Sequence, residues 1–212
     1  MDAAVFRAWI TSAAEVIEAN RDHLTQLDAA IGDADHGINL ARGFTVVLGA
    51  LDAAPKAPAT PGAILTMTGN TLISKVGGAS GPLYGMAFRR AGKSLGDAAD
   101  VDLPALSAAL DAALAGVQQL GAAREGDKTM VDALAAATRA FSKAIAEGAS
   151  PDDALDCLAE AAEAGAEATI SMQALKGRAS YLGPRSVGHE DPGAVSTALI
   201  LSSLRDAARA DR

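Results

Sequence analysis

Three carboxylates fall within eight positions of one short segment, Leu27–Phe44 (LDAAIGDADHGINLARGF). Asp28 ends a helical pattern, and Asp33 and Asp35 alternate in the turn that follows. Carboxylates this close repel one another unless a cation neutralises them, and hard oxygen ligands on a loop suit Mg²⁺. An acidic, solvated loop with an aspartate helix cap explains the same spacing. This segment alone therefore leaves a metal site and a solvated loop equally open.

A glycine-rich segment, Lys75–Gly85 (KVGGASGPLYG), offers a second kind of chemistry. Its glycines leave the backbone free to curl around an anion with the N–H groups pointing inward. A helix starting near Pro82 would direct its positive end to the same place. No Gly-Lys-Ser/Thr follows, so the segment is not a Walker A loop. On this segment alone, a flexible turn between two helices is the favoured interpretation.

The longest candidate loop is Lys176–Gly193 (KGRASYLGPRSVGHEDPG). A connection between two helices usually needs only about two to eight residues, so a longer one is more often functional or disordered. The tyrosine, leucine and valine in this loop argue against disorder, because such side chains usually dock onto the protein. Arg178 and Arg185 could neutralise phosphate oxygens.

The composition predicts an all-α protein with a single domain over residues 1–212. Half of the residues are hydrophobic but only 3% are aromatic, so alanine, leucine, valine and isoleucine must form the core, and alanine is the strongest helix former. The net charge of −8 argues against binding to nucleic acid or to an anionic membrane. The single cysteine, Cys157, excludes an internal disulfide, and no apolar run approaches the roughly 20 residues of a membrane span. We therefore expect a soluble, cytoplasmic protein.

Hydrophobic periodicity predicts about eight helices joined mostly by short turns, which is typical of an antiparallel up-and-down bundle. Helix starts are expected after the caps Thr60, Asp102, Asp127, Ser150 and Asp191, with a helix break at Pro55–Pro61. Alternate connections of such a bundle lie at the same end. Whether the three candidate segments share one end depends on whether Gly85–Lys93 belongs to a helix of its own. If the three segments do share one end, their carboxylates, glycines and arginines are the groups that a Mg²⁺–nucleotide site needs.

Four motifs together resemble one family: GDADHGINLARGF, KVGGASGPLYG, GDKTMVDAL and GRASYLGPRSVGHEDPGA. In this order they are similar to the nucleotide-binding L subunits of bacterial dihydroxyacetone kinases, and the similarity covers essentially the whole chain. Related domains of fatty acid kinases have GDTG in place of the DHG found here. The resemblance implies an eight-helix antiparallel barrel that binds ADP or ATP and two Mg²⁺ at one end.

Carried over residue by residue, the resemblance implies a metal site and a nucleotide site. The implied metal ligands are Asp28, Asp33 and Asp35. The implied nucleotide-binding residues are His36, Gly37, Ile38, Asn39, Gly78, Ala79, Ser80, Gly121, Met130, Arg178, Asp191, Pro192 and Gly193. Within this set Ala79 and Ser80 match the phosphate loop, and Gly121 and Met130 match the adenine and ribose side. Arg178 is also the expected catalytic residue, because it would stabilise the transferring phosphoryl group.

The resemblance also implies a function that requires partners. The L subunit of the family provides Mg²⁺-bound nucleotide, while a separate K subunit holds dihydroxyacetone. In phosphoenolpyruvate-dependent systems ADP is retained and an M subunit rephosphorylates it in place. Two alternatives stay open: an ATP-dependent kinase subunit for another short ketose such as erythrulose, and a nucleotide-dependent module that docks to a transcription regulator. The sequence decides neither the acceptor sugar, the phosphoryl donor, the oligomeric state nor a regulatory role.

Overall fold

The structure, a computed structural model, describes residues 1–54 and 58–210, so the predicted helix break at Pro55–Pro61 lies partly outside the described residues. Over these ranges the chain forms nine α-helices and no β-strand. They are α1 (Ala3–Ala19), α2 (Arg21–Ile31), α3 (His36–Ala53), α4 (Pro61–Lys75), α5 (Ser80–Leu95), α6 (Leu103–Gly121), α7 (Met130–Ala146), α8 (Pro151–Ala168) and α9 (Pro192–Ala210). Two 3₁₀ segments, Thr169–Ser171 and Arg178–Ser186, lie between α8 and α9. The all-α prediction is confirmed.

Most helix starts follow the predicted cap chemistry. Thr60, Asp102 and Ser150 each accept a hydrogen bond from a backbone N–H in the first turn of the following helix. The cap predicted at Asp127 is wrong, because the chain is still turning there and the helical backbone starts only after Thr129, which caps α7. Helix α5 is separate from its neighbours, which settles the question that the sequence left open.

The helices close into a ring with eight positions around its wall, and we call the helical segment at each position a stave. Each helix from α3 to α8 packs against the next one in the chain, and α9 packs against α1, which closes the ring. Helices α1 and α2 both pack against α3 and α9, so they are two segments of one stave that bends at Asn20. The nine helices of the described residues thus form the eight-stave barrel that the resemblance implied.

Aliphatic side chains fill most of the barrel, and four of its aromatic rings, on α1, α3 and α5, pack together. Trp9 contacts Phe6 and Phe88, with ring centroids 5.8 and 5.7 Å away. The indole N–H of Trp9 donates to the backbone oxygen of Ile200 at 2.8 Å, which joins α1 to α9. Among the described residues, no helix combines the length and the apolar character that crossing a membrane requires.

Helices α4 and α5 approach each other along glycines that are spaced seven residues apart. Gly62 and Gly69 on α4 face Gly92 and Gly85 on α5. A Cβ atom on Gly69 would lie 2.5 Å from the backbone oxygen of Gly85, and one on Gly92 would lie 2.6 Å from that of Gly62. These distances are too short for any side chain, so the close approach requires glycine.

Four connections emerge from the same end of the barrel. We call them the acidic turn (residues 32–35), the glycine loop (76–79), the α6–α7 turn (122–129) and the C-terminal loop (169–191). They join the first stave to the second, the third to the fourth, the fifth to the sixth and the seventh to the eighth. In an antiparallel ring, such alternate connections meet at one end.

Candidate functional site

The four connections surround one pocket, and each of them contributes to its wall. The wall therefore depends on segments that are far apart in the sequence. It brings together twelve of the predicted site residues: Asp28, Asp33, Asp35, His36, Gly78, Ala79, Ser80, Met130, Arg178, Asp191, Pro192 and Gly193.

Four predicted site residues lie outside this wall. Gly37 packs against α2, where a Cβ atom would approach a backbone oxygen to 2.0 Å, and Ile38 is half exposed. Asn39 is buried and accepts a hydrogen bond from Arg42 at 3.0 Å. Gly121 ends α6. Nucleotide contacts of these four residues stay predictions. Arg185, the second arginine considered from the sequence, is exposed and also lies outside the wall.

The acidic turn holds the three predicted metal ligands in one cluster. Side-chain oxygens of Asp28, Asp33 and Asp35 all lie within 4.8 Å of one another. The Asp28 carboxylate is 9% exposed and accepts hydrogen bonds from the backbone N–H groups of Asp35 at 2.8 Å and His36 at 3.1 Å. Asp35 itself forms no side-chain cap to α3, and Asp28 binds the start of that helix from the end of α2, so a helix cap accounts for Asp28 but not for Asp33 and Asp35. Three carboxylate oxygens at this spacing are a donor set that suits Mg²⁺.

A glycine makes room for this cluster. A Cβ atom on Gly32 would lie 2.0 Å from Oδ1 of Asp28, which is far inside van der Waals contact. Any other residue at position 32 would therefore displace the Asp28 carboxylate.

Arg178 brings positive charge from the C-terminal loop to the acidic turn. Its Nη2 lies 3.0 Å from Oδ2 of Asp33, and the two side chains are 70% and 35% exposed. The 3₁₀ segment that carries Arg178 is anchored nearby, because Ala179 and Leu182 pack with Ile31 at the end of α2. Of the three apolar side chains expected to dock, only Leu182 does so, because Tyr181 and Val187 are exposed. The packing of Ala179 and Leu182 nevertheless holds this part of the loop where Arg178 reaches the pocket.

The glycine loop directs the start of α5 into the pocket. Gly78 has a φ of +72°, a conformation that favours glycine, and α5 begins two residues later at Ser80. No side chain caps this helix. The backbone N–H groups of Ser80 and Gly81 belong to the first turn, where a helix offers free donors and partial positive charge. This end of α5 is suited to bind phosphate oxygens.

A buried hydrogen-bond network joins α3, α5 and α9 beneath the pocket. Nε2 of His36 lies 2.9 Å from Oγ of Ser196, which lies 2.6 Å from the hydroxyl of Tyr84. The Tyr84 hydroxyl also donates to the backbone oxygen of Gly193 at 2.9 Å. Burial lowers the pKa of His36, outweighing the opposite effect of Asp28, and raises the pKa of Tyr84. Near pH 7 the imidazole is therefore neutral and the tyrosine remains a hydrogen-bond donor.

Asp191 closes the pocket beside this network. Its Oδ2 accepts from the backbone N–H of Ala194 at 2.8 Å, so it caps α9 as predicted. Burial raises the pKa of Asp191 to about 7, and the negative charge of Asp132 acts in the same direction. A carboxyl group with this pKa changes its charge near neutral pH.

The most informative residue that sequence reasoning missed is Lys128. It lines the pocket, is 1% exposed and donates from Nζ to three backbone oxygens. Its partners lie 41 to 61 residues further along the chain, so no local pattern indicates them. The available signal was its position in the GDKTMVDAL motif. Tyr84 was missed in the same way, inside the KVGGASGPLYG motif.

Comparison with known proteins identifies the family of this fold and pocket. The family model described as the DAK2 domain matches residues 30–206. The chain belongs to the DAK2-domain family. The ADP-binding subunit DhaL of the PEP-dependent dihydroxyacetone kinase of Escherichia coli K12 is 42% identical over 201 residues, 95% of this chain and 95% of that protein. The corresponding subunit of dihydroxyacetone kinase 1 of Listeria innocua is 40% identical, and the match covers 92% of each chain. The resemblance seen in the sequence is confirmed.

A solved structure of similar fold contains nucleotide and metal. The dihydroxyacetone kinase from C. freundii in complex with AMP-PNP and Mg²⁺ superimposes with a TM-score of 0.70 and 27% sequence identity. The match covers 97% of this chain but only 34% of that longer protein.

Proposed function

We propose that this DAK2-domain protein is the ADP- or ATP-binding subunit of a dihydroxyacetone kinase. The observation that carries the proposal is the pocket itself, where three clustered carboxylates face the uncapped start of α5 and the guanidinium of Arg178. The relatives named above support the proposal, because they are ADP-binding subunits and the match covers 92% or more of their own length.

In this proposal Asp28, Asp33 and Asp35 hold two Mg²⁺ ions. The donor set fits, because three carboxylates within 4.8 Å offer enough oxygens for two ions when one carboxylate bridges. Bound Mg²⁺ would supply neutralisation of the charge on the nucleotide's phosphate oxygens. Asp28 is held for this role by its two backbone hydrogen bonds, which fix the carboxylate before the metal arrives.

The remaining groups bind and orient the nucleotide. Backbone N–H groups of Ser80 and Gly81 donate to phosphate oxygens, and Arg178 stabilises the negative charge on the transferring group. Met130 and Gly193 lie side by side in the pocket wall, and in this proposal they contact the nucleoside. No side chain of this chain is required as a nucleophile. The γ-phosphoryl group passes from the β–γ bridging oxygen to a hydroxyl oxygen of dihydroxyacetone, so catalysis rests on positioning and charge.

The acceptor is held by a separate K subunit, and an M subunit fed by phosphoenolpyruvate rephosphorylates ADP in place. Surface chemistry supports docking at the pocket end of the barrel. Among the described residues, seven of the eight large apolar side chains that are most exposed lie at this end: Ile38, Ile73, Leu120, Ile170, Leu175, Tyr181 and Val187. Exposed apolar groups that concentrate around a pocket favour a protein interface. A cytoplasmic location belongs to the same proposal.

The decisive experiment measures what the purified protein carries and transfers. The protein is dialysed and denatured, and the supernatant is analysed for nucleotide and Mg²⁺. Retained ADP that is converted to ATP by an M subunit and phosphoenolpyruvate, and then consumed when a K subunit and dihydroxyacetone are added, is the expected result. Failure to bind nucleotide at any Mg²⁺ concentration would overturn the proposal. Transfer to another ketose but not to dihydroxyacetone would limit the error to the acceptor.

A further inference from the structure

Lys128 is a buried cation in the wall of the pocket with an unusual backbone. It lies in the α6–α7 turn, is 1% exposed and has a φ of +61°. This left-handed conformation is uncommon for a residue with a long side chain. It directs the aliphatic stem inward and away from solvent.

All three ammonium protons of Lys128 are used within the protein. Nζ donates to the backbone oxygen of Thr169 at 2.7 Å, to that of Met172 at 3.2 Å and to that of His189. Thr169 and Met172 lie at the start of the C-terminal loop, whereas His189 lies near its end. A single side chain thus joins both ends of a 23-residue connection, residues 169–191.

Two further hydrogen bonds also hold the base of the C-terminal loop in place. The backbone N–H of Leu175 donates to the backbone oxygen of Asp127 at 3.0 Å. The backbone N–H of Asp191 donates to Oγ1 of Thr169 at 2.9 Å. Lys128 is the centre of this base; burial lowers the pKa of its ammonium group, and the carboxylates of Asp191 and Glu190 act in the opposite direction.

The α6–α7 turn is itself firmly attached to α7. The carboxylate of Asp132 accepts from the backbone N–H groups of Gly126 at 2.5 Å and Thr129 at 2.8 Å. The carboxylate of Asp127 accepts from the backbone N–H of Arg124 at 2.9 Å. Lys128 therefore projects from a braced turn, which makes it a rigid anchor for the loop.

A lysine in the wall of a phosphate-binding pocket usually contacts phosphate directly. Lys128 is not suited to that role, because an ammonium group has three donors and all three already have carbonyl partners. Binding a phosphate oxygen would leave at least one buried carbonyl unsatisfied.

We propose that Lys128 is a positioning residue that clamps the two ends of the C-terminal loop, so that Arg178 and Asp191 face the nucleotide. The inference rests on the proposed function, and it deepens that function by assigning a role to a residue outside the expected set. The clamp acts on the base of the loop, and the loop in turn places the groups that contact the ligand.

The test uses Lys128→Met, which keeps the stem and removes the charge and the donors. Hydrogen exchange is measured first in the nucleotide-free protein, at the amides of Leu175 and Asp191 and at that of Gly188, which donates to the backbone oxygen of Ile170 at 2.8 Å. Exchange ~10-fold faster than in the wild type is expected. Affinity for Mg²⁺–ADP is then measured by calorimetry, and a ~10-fold or larger loss is expected. Lys143→Met, at an exposed position on α7, is the matched control and should change neither quantity.

Two further variants keep the test decisive. Lys128→Gln retains two donors, so it replaces the methionine variant if that protein does not fold, and the same two effects are expected at smaller size. Leu110→Ala, in the core on α6, destabilises the barrel without touching the loop. An equal loss of Mg²⁺–ADP affinity in Leu110→Ala would overturn the positioning role, because general destabilisation would then explain it.

The remaining outcomes separate the two proposals. Unchanged exchange of the loop amides in the Lys128 variants would overturn the clamp, whatever the nucleotide does. Faster exchange with unchanged affinity and transfer rate would overturn the positioning role. If the wild-type protein binds no Mg²⁺–ADP, the proposed function is overturned, and the clamp is still decided by the exchange of the loop amides.

Discussion

Replacing Asp33 with asparagine removes one charge from the acidic cluster and changes the shape of the side chain very little. The ion pair of Asp33 with Arg178 joins two side chains that are 35% and 70% exposed. Exposed ion pairs of this kind contribute only about 0–1 kcal/mol to stability. Relief of repulsion from Asp28 and Asp35 offsets part of that loss. In the absence of ligand, the free energy of unfolding should therefore change by less than about 1 kcal/mol.

Ligand binding should respond far more strongly. Changing a group that only supports a metal ligand typically costs about 10- to 100-fold in affinity, so losing a ligand itself should cost ~100-fold for Mg²⁺–ADP. At a ligand concentration of about 100 times the wild-type Kd, binding stabilises the wild type by about 2.7 kcal/mol, but a variant with 100-fold weaker binding by only about 0.4 kcal/mol. For a protein of this size, these values correspond to Tm increases of roughly 5–11 °C and roughly 1–2 °C.

The assay is thermal unfolding with and without Mg²⁺–ADP, supported by calorimetric titration. Asp22→Asn is the matched control, because Asp22 is an exposed aspartate of α2 that also pairs with an arginine at 3.0 Å, yet lies outside the pocket. The control should keep the full ligand-induced increase in Tm. If Asp33→Asn keeps it too, Asp33 is not a metal ligand and the assignment of the acidic turn is wrong.

Three further predictions concern the surroundings of the cluster. Gly32→Ala should lower Mg²⁺–ADP affinity ~10-fold or more, because its Cβ would displace the Asp28 carboxylate; an unchanged Kd in calorimetry would contradict the geometry. Arg178→Gln should slow phosphoryl transfer ~100-fold in a coupled assay with K and M subunits, while its stability to urea changes by less than about 1 kcal/mol, and an unchanged rate would exclude a role in the transition state. Burial raises the pKa of Asp191 to about 7, so the folded protein retains a proton that the unfolded chain releases above pH 4. The contribution of Asp191 to stability should therefore fall as pH rises from about 4 to 7. Asp191→Asn keeps a cap acceptor but does not titrate. In ligand-free urea unfolding, its free energy of unfolding relative to the wild type should therefore increase between pH 5 and pH 8. A difference that stays constant over this range would argue against the raised pKa.

Local chemistry explains what could be predicted from the sequence. The helix caps at Thr60, Asp102 and Ser150 depend on residues three positions apart, and a single sequence contains that information. The acidic turn is equally local, since the backbone N–H of Asp35 donates to the Asp28 carboxylate only seven positions away.

Features that depend on distant segments could not be predicted in this way. Lys128 is defined by carbonyl groups 41 to 61 residues away, and the network of Tyr84 and Ser196 spans 112 positions. The error at Asp127 has a different origin. Aspartate and threonine are both good caps, and only the three-dimensional turn decides that Thr129 takes the role.

The glycine contacts between α4 and α5 fix how the two helices are aligned along their axes. The two helices meet at glycines that are seven positions apart on each helix. Sliding one helix by a single turn would therefore drive side chains into the backbone of the other. The alignment of α4 relative to α5 is therefore set by contacts along the barrel wall, outside the pocket. As a result, the distance that the glycine loop must span is fixed. An insertion or deletion in that loop would have to be absorbed at the pocket, because the helices on either side have no alternative alignment. The dimensions of the pocket end therefore depend on glycine contacts between the two helices.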